Sequence, residues 1–316
     1  MNVARVSVVI PLYNKAPYIL RALDSTARQT FGEFEVIVVD DGSTDGGDAI
    51  AARYPDPRFR IVRQANAGPG AARNRGIREA QAPLVAFLDA DDCWRPTYIE
   101  TDVRILEEHP EAAGVGGGWV DYPGEIPCAD VWKARGISEG VQRVSAGTPS
   151  KLLNAMALYM TCSTTMLRAD EPILRGGFYE HRCRFGEDQM LWLNVLLHSP
   201  VYFHLAPLAE LHREASGLSG NYRGPRPIEP FLESPEILRA SCPRELRNLL
   251  DGVYALRACK TACMLGYWGE WRRARELTKR FVPARDWRAP LVLAALAAGT
   301  PFAAWAGSLV RKWRRW

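Results

Sequence analysis

The chain has 316 residues, 47% apolar and 24% charged, which excludes a disordered or collagen-like polypeptide and allows a core without disulfide staples. Its net charge of +4 is uneven: residues 251–316 carry 13 Lys/Arg against 4 Asp/Glu and six of the ten Trp, so a body of −5 precedes a tail of +9. Seven cysteines, an odd number with no Cys-x-x-Cys pair, indicate neither a disulfide framework nor a zinc ribbon and suit a reducing compartment; no secretory signal is expected.

In chain order, the pattern alternates strands and helices. Val6–Ile10 reads as a buried strand, and residues 17–29 have helical spacing. Phe34–Val39 is a second strand, ending in Asp40-Asp41-Gly42-Ser43. A helix over 45–54 and a strand over 58–64 follow. Residues 69–80 predict a helix with Pro69 in its first turn. Leu84–Leu88 is a fourth strand and ends in Asp89-Ala-Asp-Asp92. Residues 96–108 predict another helix, and 113–122 another strand. Near-continuous Val/Ile/Leu strands separated by helices predict a mainly parallel sheet covered on both faces. Ligands in such folds lie beyond the carboxyl ends of the strands, where Tyr13-Asn14, Asp40-Asp41 and Asp89–Asp92 fall, so one shared cleft is expected. From 123 to 149 the pattern weakens. Glu187–His198 is helix-like, and residues 220–235, with four Pro and two Gly, read as a linker to a helical remainder.

Asp89 and Asp91 share a strand face, and crowded carboxylates call for a cation, with hard oxygen ligands favouring Mg²⁺ or Mn²⁺; Asp91-Asp92 serve equally well as caps of the next helix. Likewise Asp40–Asp45 reads as a capped loop with a tight turn at Gly42. Gly114-Val-Gly-Gly-Gly118 does not match the dinucleotide fingerprint and reads as strand or bend.

Taken in order, Val8-Val-Ile-Pro-Leu-Tyr-Asn14, Val38-Val-Asp-Asp-Gly-Ser-Thr-Asp45, Asn66-Ala-Gly-Pro-Gly-Ala-Ala-Arg-Asn-Arg-Gly76 and Phe87-Leu-Asp-Ala-Asp-Asp92, followed by Gly176-Gly-Phe, Gly186-Glu-Asp188 and His212-Arg-Glu-Ala-Ser-Gly-Leu-Ser219, resemble family 2 glycosyltransferases over roughly residues 5–220. The resemblance implies an α/β, GT-A-type nucleotide-binding domain with a mainly parallel central sheet (residues 1–225) and a C-terminal helical appendage (226–316). It implies that Pro11, Tyr13 and Asp40 line the base, Arg73 approaches the diphosphate, Asp89 contacts the ribose and Asp91 ligates Mn²⁺ or Mg²⁺. Asp188 becomes the catalytic base, with Glu187 and Trp192 on the acceptor side. His212 approaches the metal or diphosphate, with His204 as a rival. The activity implied is inverting, single-step transfer from a nucleotide-sugar to a glycan or lipid-linked acceptor. Asp40 suits the ring N–H of uracil or thymine, favouring UDP- or dTDP-sugars, although guanine carries one too. The Arg that often follows the Trp of the Glu-Asp helix is absent from Leu191-Trp-Leu-Asn194, which leaves its usual contact open; no Gln-x-x-Arg-Trp and no bundle of spanning helices occur, so one sugar per encounter is expected. An inactive sugar-nucleotide-binding scaffold and a nucleotidyltransferase stay open as alternatives. The latter lacks its Gly-rich phosphate loop in Pro11–Lys15.

Residues 289–310 hold no charge, but Gly299-Thr300-Pro301 splits them into two segments too short to span a bilayer. Phe302, Trp305, Leu309, Trp313 and Trp316 then form one stripe with Arg311, Lys312, Arg314 and Arg315 off it. That pattern fits an interfacial helix on anionic lipid, or an amphipathic helix packed on the body, with a true span as the less favoured alternative. The expectation is a cytoplasmic protein, peripheral at the inner membrane face, with no nucleic-acid partner.

Overall fold

The computed structural model describes residues 3–171, 174, 176–180, 185–215 and 224–283. Those of 3–144 and 155–215 make one compact unit, and those of 145–154 and 224–283 a second. A boundary at 225 therefore differs from the observed division, because 145–154 folds with the later residues. The apolar tail stretch from 289 lies outside the described residues. Among the described residues, no helix is long and apolar enough to cross a membrane.

The first unit is built on a sheet of order β3-β2-β1-β4-β9-β6-β10-β5. β1 (Val6–Leu12), β2 (Phe34–Asp40), β3 (Phe59–Arg63) and β4 (Leu84–Phe87) are parallel. β1 is buried along nearly its whole length, which is why its sequence is an apolar run without alternation. β5 (Cys93–Trp94) pairs antiparallel with β10 (Val201–His212), and β6 (Gly114–Tyr122) runs parallel to β10 over eight paired positions. Between β4 and β6 lies β9 (Thr165–Arg168), antiparallel to both. Two short strands, β7 (Ile126–Pro127) and β8 (Gly140–Gln142), occupy the stretch in which the sequence pattern weakens.

The helices sit close to their expected spans. α1 (Ala16–Ala27) buries Ile19, Ala22 and Leu23, α2 is Gly47–Ala52, α3 is Pro69–Glu79 and α4 is Tyr98–Glu108. α5 (Ala129–Ala134) and α6 (Ser150–Tyr159) precede α7 (Glu187–His198). α3 lies against β1 at Gly76, where an added Cβ would be 2.2 Å from Val9 Cγ1. Val9 is fully buried and stiff at χ1, so it cannot turn aside. Gly76→Ala is expected to cost about 1–3 kcal/mol by overpacking, read as a lower urea midpoint that Val9→Ala in the same chain partly restores.

Strand order reverses at β1: the chain proceeds outward to β2 and β3, then returns to the other side as β4. A crevice beyond the carboxyl ends is the consequence. The β1–β4 ladder ends at Val9–Phe87, so Pro11 sits past it on that side, where a missing N–H is tolerated.

The second unit is helical: α8 (Pro230–Glu233), α9 (Pro235–Ser241), α10 (Arg247–Tyr267) and α11 (Trp271–Phe281). Buried Glu229 accepts hydrogen bonds from Arg257 and, at 2.8 Å, from Thr261 Oγ1. Tyr254 of α10 packs against Phe281 of α11 with centroids 5.5 Å apart.

Candidate active site

A cleft of about 710 Å³ opens where the strand order reverses, and it is lined by Pro11, Tyr13, Arg73, Asp89, Asp91, Glu187, Asp188 and His212 among others. Eight of the ten residues singled out from sequence thus meet in one place, brought there from the ends of β1, β4 and β10 and the starts of α3 and α7.

The turn after β1 is locked by the loop after β2. Asn14 holds φ at +51°, a conformation Asn tolerates better than most residues. Its Oδ1 accepts the Thr44 N–H at 2.8 Å, while Asp45 accepts the Ala16 N–H at 2.8 Å and the Gly47 N–H at 3.0 Å. Tyr13, 48% exposed, stands at the mouth.

Asp40 departs from its expected place. It is buried, accepts the Ser43 N–H at 3.0 Å, and does not line the cleft. Neighbouring residues leaving a strand face opposite ways, and Asp41 is the one turned to the cleft. Asp41 accepts the backbone N–H groups of Ala67 and Gly68, each at 2.9 Å, and the Gln64 amide at 2.8 Å. It thereby pins the loop that leads into α3.

α3 delivers Arg73, whose guanidinium is 6% exposed and donates to Asp89 at 2.7 Å and to Glu187 at 2.8 Å. One turn face further on, Asn74 donates to the Phe178 carbonyl at 2.8 Å and accepts the Phe178 N–H at 2.7 Å. Sequence reading gave Asn74 no role. Its amide is what joins the Asn66–Gly76 motif to Gly177-Phe178.

Beyond β4, Lys15 donates to Asp91 Oδ2 at 2.6 Å and to the Ala215 carbonyl at 2.7 Å. Asp92 is buried, accepting from Ser163 Oγ at 2.6 Å and from the His212 N–H at 2.9 Å. Burial, and then the charges of Asp89 and Asp91, push Asp92 up to about 8; Asp91 is raised by burial and by Asp89. On α7, burial and then the Glu187 charge push half-buried Asp188 up to about 7, with Arg73 opposing. Lys15 and Asn74 carried no sequence signal beyond their motif positions, and Ser163 carried none.

Six lining carboxylates, Asp41, Asp89, Asp91, Asp92, Glu187 and Asp188, face three permanent cations, Lys15, Arg73 and Arg213. Burial is the main cause of the upward shifts at Asp91, Asp92 and Asp188, and repulsion between neighbouring carboxylates adds to it. An all-oxygen set with surplus charge fits Mg²⁺ or Mn²⁺.

Trp192 departs from its expected place, and the two histidines take different surroundings. Trp192 is fully buried, its ring packed edge-on against Phe178 at 5.5 Å and tilted against Phe87 at 6.3 Å, so it belongs to the core and not to an acceptor surface. His204 is buried against Asp102 at 3.0 Å, away from the cleft. His212 does line the cleft, but its ring stacks on Tyr122 at 4.7 Å and its Nδ1 meets Glu214 at 2.8 Å. One of its ring nitrogens lies within 4.8 Å of the Cys93 sulfur and a Glu210 carboxylate oxygen.

The fold is similar to that of solved structures. Staphylococcus aureus TarS (residues 1–349, in complex with UDP-GlcNAc) aligns with a TM-score of 0.67 at 22% identity, covering 91% of this chain and 83% of that one. The mannosyltransferase PcManGT of Pyrobaculum calidifontis, in complex with GDP-Man and Mn²⁺, aligns with a TM-score of 0.52 at 19% identity over 96% and 83% of the two chains. The fold is therefore GT-A: a mixed α/β sheet, mostly parallel, followed by a helical part. Residues 7–148 match the family model of glycosyl transferase family 2. Among relatives, the uncharacterized glycosyltransferase YibD of Escherichia coli is 42% identical over 118 residues, 36% of this chain and 34% of its own. The putative glycosyltransferase EpsH of Bacillus subtilis is 41% identical over 113 residues, 35% and 33% of the two. The matched stretch spans about a third or less of the length of these curated relatives.

Proposed function

We propose that the protein is an inverting, metal-dependent glycosyltransferase. It moves one sugar from a nucleotide-sugar to a hydroxyl of a glycan or lipid-linked acceptor, in the assembly of a polysaccharide. The observation that carries this reading is Asp188, a half-buried carboxylate raised to about 7 in the cleft that also holds Asp89 and Asp91. A general base works best with a pKa near the operating pH.

In the reaction, the acceptor oxygen bonds to sugar C1 as the bond from C1 to the diphosphate oxygen breaks. The acceptor proton passes to Asp188, and the nucleoside diphosphate leaves. Attack from the face opposite the leaving group inverts the anomeric centre. Asp91, with Asp89 beside it, would hold the divalent ion, which supplies neutralisation of the charge developing on the diphosphate. Arg73 fixes Asp89 and Glu187 relative to each other, so the donor and acceptor ends of the cleft share one rigid link. Tyr13 at the mouth offers its ring face to the base, and Lys15 is a second cation within reach of Asp91.

TarS with UDP-GlcNAc favours a UDP-sugar, while PcManGT with GDP-Man keeps the GDP series in the test. Placement at the inner face of the cytoplasmic membrane rests on the sequence pattern of the tail. The test is a thermal-shift screen of UDP-, dTDP- and GDP-sugars with and without Mn²⁺. A donor at 100 times its dissociation constant stabilises by about 2.7 kcal/mol. One series should raise the midpoint in a Mn²⁺-dependent way, and Asp91→Asn should remove the Mn²⁺ dependence. No shift with any series would support the inactive scaffold, and pyrophosphate release from a nucleoside triphosphate would support a nucleotidyltransferase.

A further inference from the structure

The last described helix carries more positive charge than its own fold can use. α11 buries Ala274, Leu277, Thr278 and Phe281 on one side. Its exposed side presents Arg272, Arg273, Arg275, Lys279 and Arg280, with Glu276 as the one acid among them. Arg272 and Arg273 stand in the first turn, which holds no acidic residue; cations there meet the positive end of the helix dipole, and that costs stability. Arg275 and Lys279 are four residues apart and repel each other along the same face. Glu270 answers Arg273 at 3.0 Å, while Arg272, Arg275 and Lys279 have no ion-pair partner among the described residues. The turn from α10 into α11 adds two exposed rings, Tyr267 and Trp268, with centroids 5.4 Å apart. Arg280 also lines a groove of about 440 Å³ with Arg239 and Arg247; Glu236 and Asp251 are the acids there, and Asp251 is taken by Arg239.

We propose that the exposed face of α11, with Tyr267, Trp268 and the adjoining arginine groove, docks on an anionic lipid bilayer. Charge complementarity selects this occupant, since five cations against one acid on a single helix face match a layer of lipid phosphates. Bilayer phosphates offset the dipole and like-charge costs that α11 carries in water. Phenol and indole rings settle at headgroup depth, the ring body toward the acyl chains and the polar tip toward water. The groove beside Arg247 and Arg280 has room for a headgroup phosphate. A nucleic-acid backbone would satisfy the same cations, but the chain runs on from α11 to a tail whose sequence sets Phe302, Trp305 and Leu309 on one stripe, and an apolar stripe has a bilayer to enter. The inference assigns docking to a folded surface, separate from the tail, and does not depend on the glycosyltransferase reading.

Co-sedimentation of the full chain with vesicles of phosphatidylglycerol and phosphatidylcholine, against phosphatidylcholine alone, tests it. The parent should bind the anionic vesicles, and added salt should release it. Each cation near an anionic surface is worth about fivefold in partitioning, so Arg272→Gln, Arg275→Gln and Lys279→Gln together should weaken binding about 100-fold, and Arg247→Gln alone about fivefold. The triple variant should melt no lower than the parent, because a first-turn cation and a like-charge pair are gone; its loss of binding is then not a loss of fold. Arg53→Gln, Arg104→Gln and Lys133→Gln together make the same change of net charge at exposed positions of the first unit and should leave binding as in the parent. Three results would each overturn the proposal. Unchanged binding by the α11 variant would put the anchor in the tail. An equal loss in the first-unit variant would mean that net charge alone attracts the chain. Capture of a polyuridylate strand with no binding to vesicles would make nucleic acid the partner.

Discussion

Asp188→Asn is expected to lower sugar transfer by about 10²–10⁴-fold, the usual contribution of a positioned base, and to leave donor binding intact. The amide keeps the shape of the side chain and the acceptor for the Gln189 N–H, which Asp188 Oδ1 takes at 2.8 Å; it removes only the capacity to accept a proton. Two further readouts separate a base from a structural residue. The transfer rate of the parent should rise with pH through about 7, the value to which burial and the Glu187 charge push Asp188, and the variant should lose that limb. The effect on stability has the opposite direction. A carboxyl whose pKa is raised by folding favours the native state below its unfolded value near 4, and this contribution disappears as pH rises through about 7. Above that pH the parent carries an unfavourable buried charge and the amide does not. Asp188→Asn should therefore melt higher than the parent at pH 8 and nearly level with it at pH 4. Equal melting at both values would place Asp188 in water.

Arg73→Met is expected to have the largest effect on folding. Arg73 is the partner of Asp89 and of Glu187, with side-chain exposures of 6%, 37% and 9% for the three groups. Removing one member of a buried pair costs about 3–5 kcal/mol, since a charge is left without compensation. Glu187 bears most of that cost, and water partly relieves the more open Asp89. Set against a typical stability of about 5–15 kcal/mol, the loss is severe and should be read as a collapse of the urea midpoint. Glu187→Gln in the same chain should recover a large part of it, because the uncompensated charge is gone. A double-mutant cycle over Arg73 and Glu187 then reports the coupling directly. Donor-induced stabilisation should not return with it, since Asp89 still lacks its cation.

The elements that sequence made legible are those in which one physical signal dominates. β1, β2 and β4 are apolar throughout because both faces are covered, and α3 opens at Pro69 as its first-turn proline requires. The cleft was legible for the same reason, since strand ends in such a sheet converge. What stayed hidden depends on contacts distant in sequence. Whether Asp40 or Asp41 faces the cleft turns on how the chain leaves β2 by one residue. Trp192 lies on a helix apolar on most sides, and only packing against Phe87 and Phe178 fixes its direction. β10 is broken at Pro207 by register shifts, which erases a regular alternation from its sequence. Lys15 meets Asp91 and Ala215 across 76 and 200 residues, and no local pattern announces such an encounter.

The place of β9 between β4 and β6 sets when the sheet can close during synthesis. On the ribosome β4 is complete at Phe87 and β6 at Tyr122, yet the strand that joins them ends at Arg168. At about 5–20 residues per second, the roughly 80 residues from Phe87 to Arg168 take about 4–16 s to emerge. During that interval the nascent chain holds the β4 edge and, once Tyr122 has been made, the β6 edge as well, both of which the finished protein covers, and open edges recruit other chains. The half-made molecule is the form most exposed to wrong partners, and a chaperone that shelters it until β9 arrives would raise its yield.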